Sequence, residues 1–214
     1  MPPVALATAI DAVASADPVL ARLVSLVGPI RYRPRNPDGH FGALVRAIVF
    51  QQLAGHAANA IFQRVRALVD GPLTPEALLA VPDDELKGAG LSKAKLASLR
   101  DLSVKVMDRT VVLKGASSRL SDEEIVARLV MVRGIGRWTA EMYLMFELRR
   151  LDVWPVDDLG VRQGYALAWS LAGPPPPREL QPLGDRFRPY RSVVARYCWE
   201  AVALARGGTD PALR

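Results

Sequence analysis

Apolar residues recur at spacings of three and four along most of the chain, which is the period of amphipathic helices. The segment from Phe41 to Val69 shows this period on both sides of an interruption that contains Gln51, Gln52 and Gly55. The pattern therefore predicts two helices there, which meet near Leu53.

Residues that favour helix starts precede several of these periodic segments. Thr74 and Pro75 open the segment TPEALLAV as the expected N-cap and first helical residue. Ser121 and Glu124 have capping-box spacing at the start of SDEEIVARLVMV. The one strand candidate, TVVLKG at 110–115, is short, so the predicted fold class is all-α.

The C-terminal part of the chain contains another strong helical pattern, YRSVVARYCWEAVALA at 190–205. This helix is too short to form a domain alone, so we expect it to pack against the N-terminal helices. The preceding stretch, PPPPRELQPLGDRFRP at 174–189, is predicted to be a polar, proline-rich connection rather than a helix. The end of the chain, RGGTDPALR, is predicted to be a loose tail.

Composition and charge narrow the possible functions. Half of the 214 residues are apolar, which predicts a stable globular protein. The 28 lysines and arginines exceed the 22 acidic residues and give a net charge of +6. A basic balance favours a polyanionic partner, above all nucleic acid, although it can also serve solubility alone.

Several kinds of site and location are excluded by what the sequence contains. A single cysteine, Cys198, cannot form an internal disulfide or supply the thiolates of an iron–sulfur cluster or a cysteine-rich zinc site. Only His40 and His56 could add histidine ligands, so a metal held by side chains is not expected. The chain has no secretory signal pattern and no long apolar run, so we expect a cytoplasmic protein that does not enter membranes.

The stretch MVRGIGRWTAEMY at 131–143 places two glycines inside an otherwise helical pattern. Gly134 and Gly136 permit backbone conformations closed to other residues and let a surface come near the chain. The amides of both glycines and of Arg137 lie where a new helix would begin, which is a favourable place for a phosphate. The alternative is an ordinary helical corner in which glycine only ends a helix.

A second motif, LDVWPVDDLGVRQGYALAW at 151–169, follows the glycine pair. Pro155 favours an extended entry, and Asp157 and Asp158 precede a helical pattern. An aspartate at that position can be a helix cap with no further role, and capping requires only one of the two.

These two motifs, together with FQQLAGHAANAI upstream and RPYRSVVARYCW downstream, resemble the helix–hairpin–helix DNA glycosylases, and most of all the 3-methyladenine DNA glycosylase II branch, over residues 38–200. The resemblance implies two helical lobes with a DNA-binding cleft between them. The implied lobes are a central one at 38–149, which ends in the helix–hairpin–helix, and a second one formed by 1–37 with 150–214.

The resemblance also implies a catalytic aspartate. The register of DLGVRQ assigns the catalytic carboxylate to Asp158, with Asp157 as its neighbour. A proline–residue–aspartate rule in other branches of the family would select Asp157 instead. Bifunctional relatives carry a lysine two residues after the second hairpin glycine, where this chain has Trp138, so the resemblance implies an enzyme without strand-cleaving lyase activity.

Further residues receive roles by resemblance only. Leu53 matches the side chain that enters the base stack in place of the extruded base, with core packing as its alternative. The residues expected to contact DNA are Gln52, Leu53, Gly134, Gly136 and Arg137. The residues expected beside the base are Trp138, Met142, Tyr143 and Trp199, and the tryptophans could instead be core residues. A structural monovalent cation is expected on the backbone carbonyls of Val130, Val132 and Ile135.

The implied activity is hydrolysis of the glycosidic bond of alkylated bases in double-stranded DNA by a monomeric enzyme that needs no cofactor. A carboxylate opposes the positive charge that develops on the sugar, and bases that already carry charge, 3-methyladenine and 7-methylguanine, leave more readily. Two alternatives stay open. The same fold could act on oxidised or deaminated bases, or the protein could be a DNA-binding module without catalysis.

Overall fold

A computed structural model describes residues 5–32, 34–113 and 119–208 of the chain. The described residues form helices and no strand, as the all-α prediction requires. The helices are α1 (Leu6–Ala16), α2 (Pro18–Val27), α3 (Gly39–Phe50), α4 (Gly55–Ala67), α5 (Pro75–Ala80), α6 (Asp83–Gly88), α7 (Lys93–Met107), α8 (Asp122–Leu129), α9 (Arg137–Met142), α10 (Leu159–Ala168), α11 (Pro177–Leu183) and α12 (Arg191–Ala205), with a π-helical turn at Tyr143–Glu147 and a 3₁₀ turn at Asp185–Phe187.

The chain divides into two compact units, which we call the terminal unit (Met1–Pro34 with Leu144–Arg214) and the central unit (Arg35–Tyr143). The sequence placed the boundaries at 38 and 149. In the structure the second boundary falls at Tyr143, and in the segment that follows it the Arg150 amide donates to the Leu144 carbonyl at 2.9 Å.

Helix α12 is the centre of the terminal unit and packs against α10, α2 and α1, so the expected return of the last helix to the N-terminal helices is confirmed. Gly164 allows α10 and α12 to come into backbone contact, since a Cβ at this position would lie only 1.8 Å from the Cys198 carbonyl oxygen. Cys198 is fully buried at this contact, and burial raises the pKa of its thiol.

The central unit is built from α3 to α9 around fully buried leucine and isoleucine side chains such as Leu44, Ile48 and Leu99. Its predicted caps are present. The Thr74 hydroxyl accepts from the Ala77 amide at 3.2 Å and begins α5. A complete capping box begins α8.

One local prediction was wrong. The proline-rich stretch at 174–189 contains α11, which tolerates Pro177 because the first helical turn has no internal partner for its amide. Leu180 is fully buried and anchors this helix. The first four residues of the strand candidate, 110–113, form a bend and irregular structure, and its last two lie outside the described residues, as does 209–214 of the predicted tail.

No helix within the described ranges combines the length and apolar character that crossing a bilayer requires.

Candidate functional site

The glycine-containing hairpin lies between α8 and α9 in the central unit, and its two glycines differ. Gly134 has a φ of +80°, and a Cβ there would lie 2.6 Å from the Ser98 hydroxyl oxygen, so the fold itself requires glycine. Gly136 is the N-cap of α9 with an ordinary φ of −90°, and an added Cβ would meet nothing within 4 Å. The backbone at Gly136 therefore faces open space at a helix start.

Two side chains from elsewhere in the central unit hold the hairpin. Asp101 on α7 accepts a 2.7 Å bond from the Arg133 amide. Burial acts to raise the pKa of Asp101, but bonds from Lys105 and the Arg133 amide outweigh it, and the pKa lies below its ordinary value. Gln51 at the end of α3 donates from Nε2 to the Gly134 carbonyl at 2.9 Å.

The turn between α3 and α4 contains Leu53, the residue predicted to enter the base stack in place of the extruded base. Leu53 is 40% exposed at this turn, so its alternative role as a core residue does not hold. Gln52 has a left-handed backbone with a φ of +54°, and its side chain is exposed. The glutamine that bonds to the hairpin is therefore Gln51, which the sequence did not assign a role.

Arg137 is engaged by carboxylates rather than projecting alone. Its Nε donates to Glu141 at 2.9 Å, and its terminal nitrogens donate to Glu123 at 2.5 and 3.1 Å. The hydrogen bond with Glu123 is the main reason that the pKa of Arg137 is raised and that of Glu123 is lowered. The amide of Arg137 lies in the first turn of α9, where amides lack an intrahelical partner, so it stays a candidate donor to phosphate.

The predicted base-contacting residues of the central unit differ in exposure. Trp138 is 47% exposed in the first turn of α9, so it is not a core residue. Met142 is partly buried. Tyr143 is only 6% exposed and lies edge-on to the His40 ring at 6.1 Å between centroids.

Backbone carbonyls of the hairpin are compatible with the expected cation. The Val132 carbonyl accepts a 3.0 Å bond from the Ile135 amide, and a carbonyl oxygen has a second lone pair that can bind a hard cation. Among the residues that the structure describes, no group of histidine, cysteine or acidic side chains could hold a metal ion. The cation expected on the carbonyls of Val130, Val132 and Ile135 therefore stays a prediction.

The two neighbouring aspartates of the terminal unit have different surroundings. Asp158 is the N-cap of α10, and its Oδ1 accepts from the Val161 amide at 2.8 Å and from the Trp199 indole Nε1 at 2.9 Å. Asp157 is exposed in the preceding turn. The residue that caps the helix is thus also the residue assigned to catalysis by register.

Trp199 is itself held by two residues that the sequence did not single out. Phe146, in the π-helical turn, stacks on its ring with centroids 5.8 Å apart and planes 21° from parallel. Gly160 lies so near that a Cβ there would be 2.8 Å from Cδ1 of the indole. A glycine inside the first turn of a helix weakens that helix, and this is the one sequence signal that could have pointed to Gly160.

Comparisons with known proteins show which family and which folds the chain resembles. Residues 45–188 match the HhH-GPD superfamily of base excision DNA repair proteins. The chain is 36% identical over 189 residues to DNA-3-methyladenine glycosylase 1 of Schizosaccharomyces pombe, which covers 86% of this chain and 82% of that protein. A crystal structure of DNA-3-methyladenine glycosidase from Bacillus halodurans has a TM-score of 0.82 and 32% identity, over 94% of this chain and 92% of the other. A structure of the Schizosaccharomyces pombe 3-methyladenine DNA glycosylase with abasic DNA has a TM-score of 0.76 and 34% identity, over 90% and 95% of the chains.

Proposed function

The chain belongs to the HhH-GPD superfamily of base excision DNA repair proteins, and we propose that it is a monofunctional DNA glycosylase that releases alkylated bases from duplex DNA. The substrates proposed are 3-methyladenine and 7-methylguanine, and the product is an intact abasic site. The similarity to 3-methyladenine glycosylases, one of them bound to abasic DNA, supports this proposal.

The observation that carries the proposal is the fixed carboxylate of Asp158, which is bonded by the Val161 amide and the Trp199 indole. As the base leaves, the sugar carbon C1′ gains positive charge that exists only in the transition state, so a carboxylate fixed nearby lowers the barrier. At about 4 Å and an effective dielectric constant of about 20, this attraction is roughly 4 kcal/mol, or about three powers of ten in rate.

The nucleophile that replaces the base is water rather than an amine. Trp138 occupies the position where bifunctional relatives carry lysine, and an indole cannot form an imine with C1′. The exposed face of Trp138 suits a different task, which is contact with a positively charged base through its π electrons. This supports cationic alkylated bases over neutral ones as substrates.

The central unit supplies the DNA contacts in this proposal. The amides around Gly136 at the start of α9 bind backbone phosphate, and exposed Leu53 fills the space of the extruded base, which offsets an unstacking cost of a few kcal/mol. The carbonyls of Val130, Val132 and Ile135 would hold a monovalent cation, whose charge would add to the attraction for phosphate. We propose that the enzyme acts as a monomer in the cytoplasm without a further cofactor.

The test is incubation of the protein with duplexes that contain 7-methylguanine, hypoxanthine or an oxidised guanine, followed by chromatography of the released bases. The proposal expects 7-methylguanine to be released fastest. Faster release of an oxidised or deaminated base would instead favour the other substrate class of this fold. Binding of every duplex with no release would show a DNA-binding module without catalysis.

A further inference from the structure

We propose that Trp199 and Gly160 are positioning residues, which together hold the Asp158 carboxylate in its catalytic orientation. This inference rests on the proposed glycosylase function. It assigns Trp199 a role through its indole N–H, in place of the role beside the base that the family resemblance implies.

A carboxylate that caps a helix can still rotate about its last torsion. The torsion that turns a carboxylate plane is broad, so the bond from the Val161 amide to Asp158 fixes one oxygen but not the plane. The bond from Trp199 Nε1 reaches the same oxygen from a separate helix, α12, at 2.9 Å. Donors to a carboxylate oxygen prefer directions near the carboxylate plane, so two donors from two helices restrict that plane more than one does, as a fixed charge in catalysis requires.

The Trp199 indole is held in place by its neighbours. Trp199 directly follows Cys198, whose carbonyl presses against Gly164 on α10, so the backbone of α12 is held against α10 one residue before the indole. Phe146 stacks on the indole ring. The donor is thus held by packing on both its backbone and its ring.

Gly160 leaves the space that the Trp199 indole needs. A Cβ at this position would lie 2.8 Å from Cδ1 and 3.0 Å from Nε1 of Trp199, and 3.1 Å from Oδ1 of Asp158. Those atoms belong to a stacked ring and to the hydrogen bond itself, so a methyl group at Gly160 would displace the bond. Glycine at this helical position therefore serves the bond between Trp199 and Asp158.

The two possible roles of Trp199 predict different losses. A positioning role acts on Asp158, so its loss lowers the rate of the chemical step equally for charged and neutral bases. A role beside the base acts through the ring face, so losing it lowers the release rate of cationic bases in particular. Replacement by phenylalanine keeps an aromatic face but removes the N–H, which separates these roles.

The experiment compares wild type, Trp199→Phe and the control Trp169→Phe. Trp169 is a matched control because its indole also donates to a capping aspartate of the terminal unit, Asp17, at 3.3 Å. Single-turnover rates are measured on duplexes with 7-methylguanine and with hypoxanthine, together with affinity for an abasic duplex and melting temperature. We expect Trp199→Phe to lower both rates about ten- to a hundredfold by the same factor, with abasic affinity within about twofold of wild type. Trp169→Phe should keep wild-type rates.

A second variant keeps the inference testable if Trp199→Phe folds poorly. Gly160→Ala should lower both rates although Trp199 is intact, and the double variant should be no slower than the slower single variant, since both changes break one bond. An active wild type with full-rate Trp199→Phe or Gly160→Ala would overturn the inference alone, as would a loss confined to 7-methylguanine. A wild type that releases neither base would overturn the proposed function and this inference with it.

Discussion

Two aspartates of the terminal unit occupy nearly the same local structure. Asp17 caps α2 and accepts from the Trp169 indole, and Asp158 caps α10 and accepts from the Trp199 indole. In sequence both are acidic residues that precede a helical pattern, and a capping role explains either one. Their surroundings in the folded chain are what distinguish them.

Asp17 is 6% exposed, and an Arg186 nitrogen lies 3.2 Å from its Oδ2. Its charge is balanced by a cation, which is the arrangement expected of a buried carboxylate that stabilises a fold. The Oδ1 of Asp158 is held by neutral donors, an amide and an indole, and this residue is partly exposed. These two donors hold the carboxylate in one orientation, which suits a residue that must oppose a cation developing in a reaction.

The strongest test of this comparison replaces each aspartate with asparagine, which retains the ability to cap a helix. Asp158→Asn should lower the single-turnover release of 7-methylguanine by about three powers of ten, because the opposing charge is lost. Its affinity for an abasic duplex and its melting temperature should stay near those of wild type.

Asp17→Asn should show the reverse. The ion pair with Arg186, whose side chain is 51% exposed, is worth about 1–2 kcal/mol, which corresponds to a fall of several degrees in melting temperature at this chain length. Base release at a temperature well below unfolding should remain at the wild-type rate. Equal loss of activity in the two variants would show that the surroundings of the aspartates do not separate their roles.

The hairpin offers the same comparison with glycines instead of aspartates. Gly136→Ala should leave the melting temperature unchanged, since its Cβ meets nothing, but should weaken binding to undamaged duplex about tenfold because the methyl group holds phosphate away.

Gly134→Ala should lower the melting temperature, because it strains a positive φ and crowds Ser98. Wild-type affinity should also fall steeply with salt. Unchanged affinity in Gly136→Ala would contradict the assignment of the hairpin to phosphate binding.

Leu53 tests whether exposure of an apolar side chain reports function. Because it is 40% exposed, Leu53→Ala should have little effect on stability. The rate of base release by Leu53→Ala should fall several-fold to about tenfold for a lesion in a matched duplex. It should fall less for a lesion opposite a mismatch, where less unstacking is required. An equal loss on both duplexes would argue against a role in base extrusion.

The smallest expected effect is that of Asp157→Asn, which serves as the neighbour control for Asp158. Asp157 is exposed in the turn before α10. Its replacement should therefore change the rate of base release by no more than about twofold and the melting temperature by no more than about 1 °C. A large loss of activity here together with full activity in Asp158→Asn would transfer the catalytic role to Asp157.

The features that the sequence predicted correctly depend on residues close together in the chain. The Ser121 capping box needs residues only three apart, and helix periods repeat within a few turns. The bonds that complete the candidate site are long-range: 41 residues separate Trp199 from Asp158, and 83 separate Gln51 from Gly134. Spacing along the chain does not encode such bonds, so the sequence named Trp199 and Asp158 by resemblance without showing that they bond. Helix α11 was missed because prolines in and near its first turn resemble a loop.

In the proposed activity, the protein removes a damaged base by hydrolysis and leaves the DNA strand intact. A single end-labelled duplex with one 7-methylguanine tests it, with the products separated on a denaturing gel before and after mild alkali, under conditions in which the untreated lesion itself is stable. Hydrolysis without lyase activity should give a full-length strand after enzyme alone and a strand cut at the lesion after enzyme and alkali, since alkali cleaves abasic sites. A strand that is cut before alkali would contradict the absence of lyase activity, and a strand that resists alkali would contradict removal of the base.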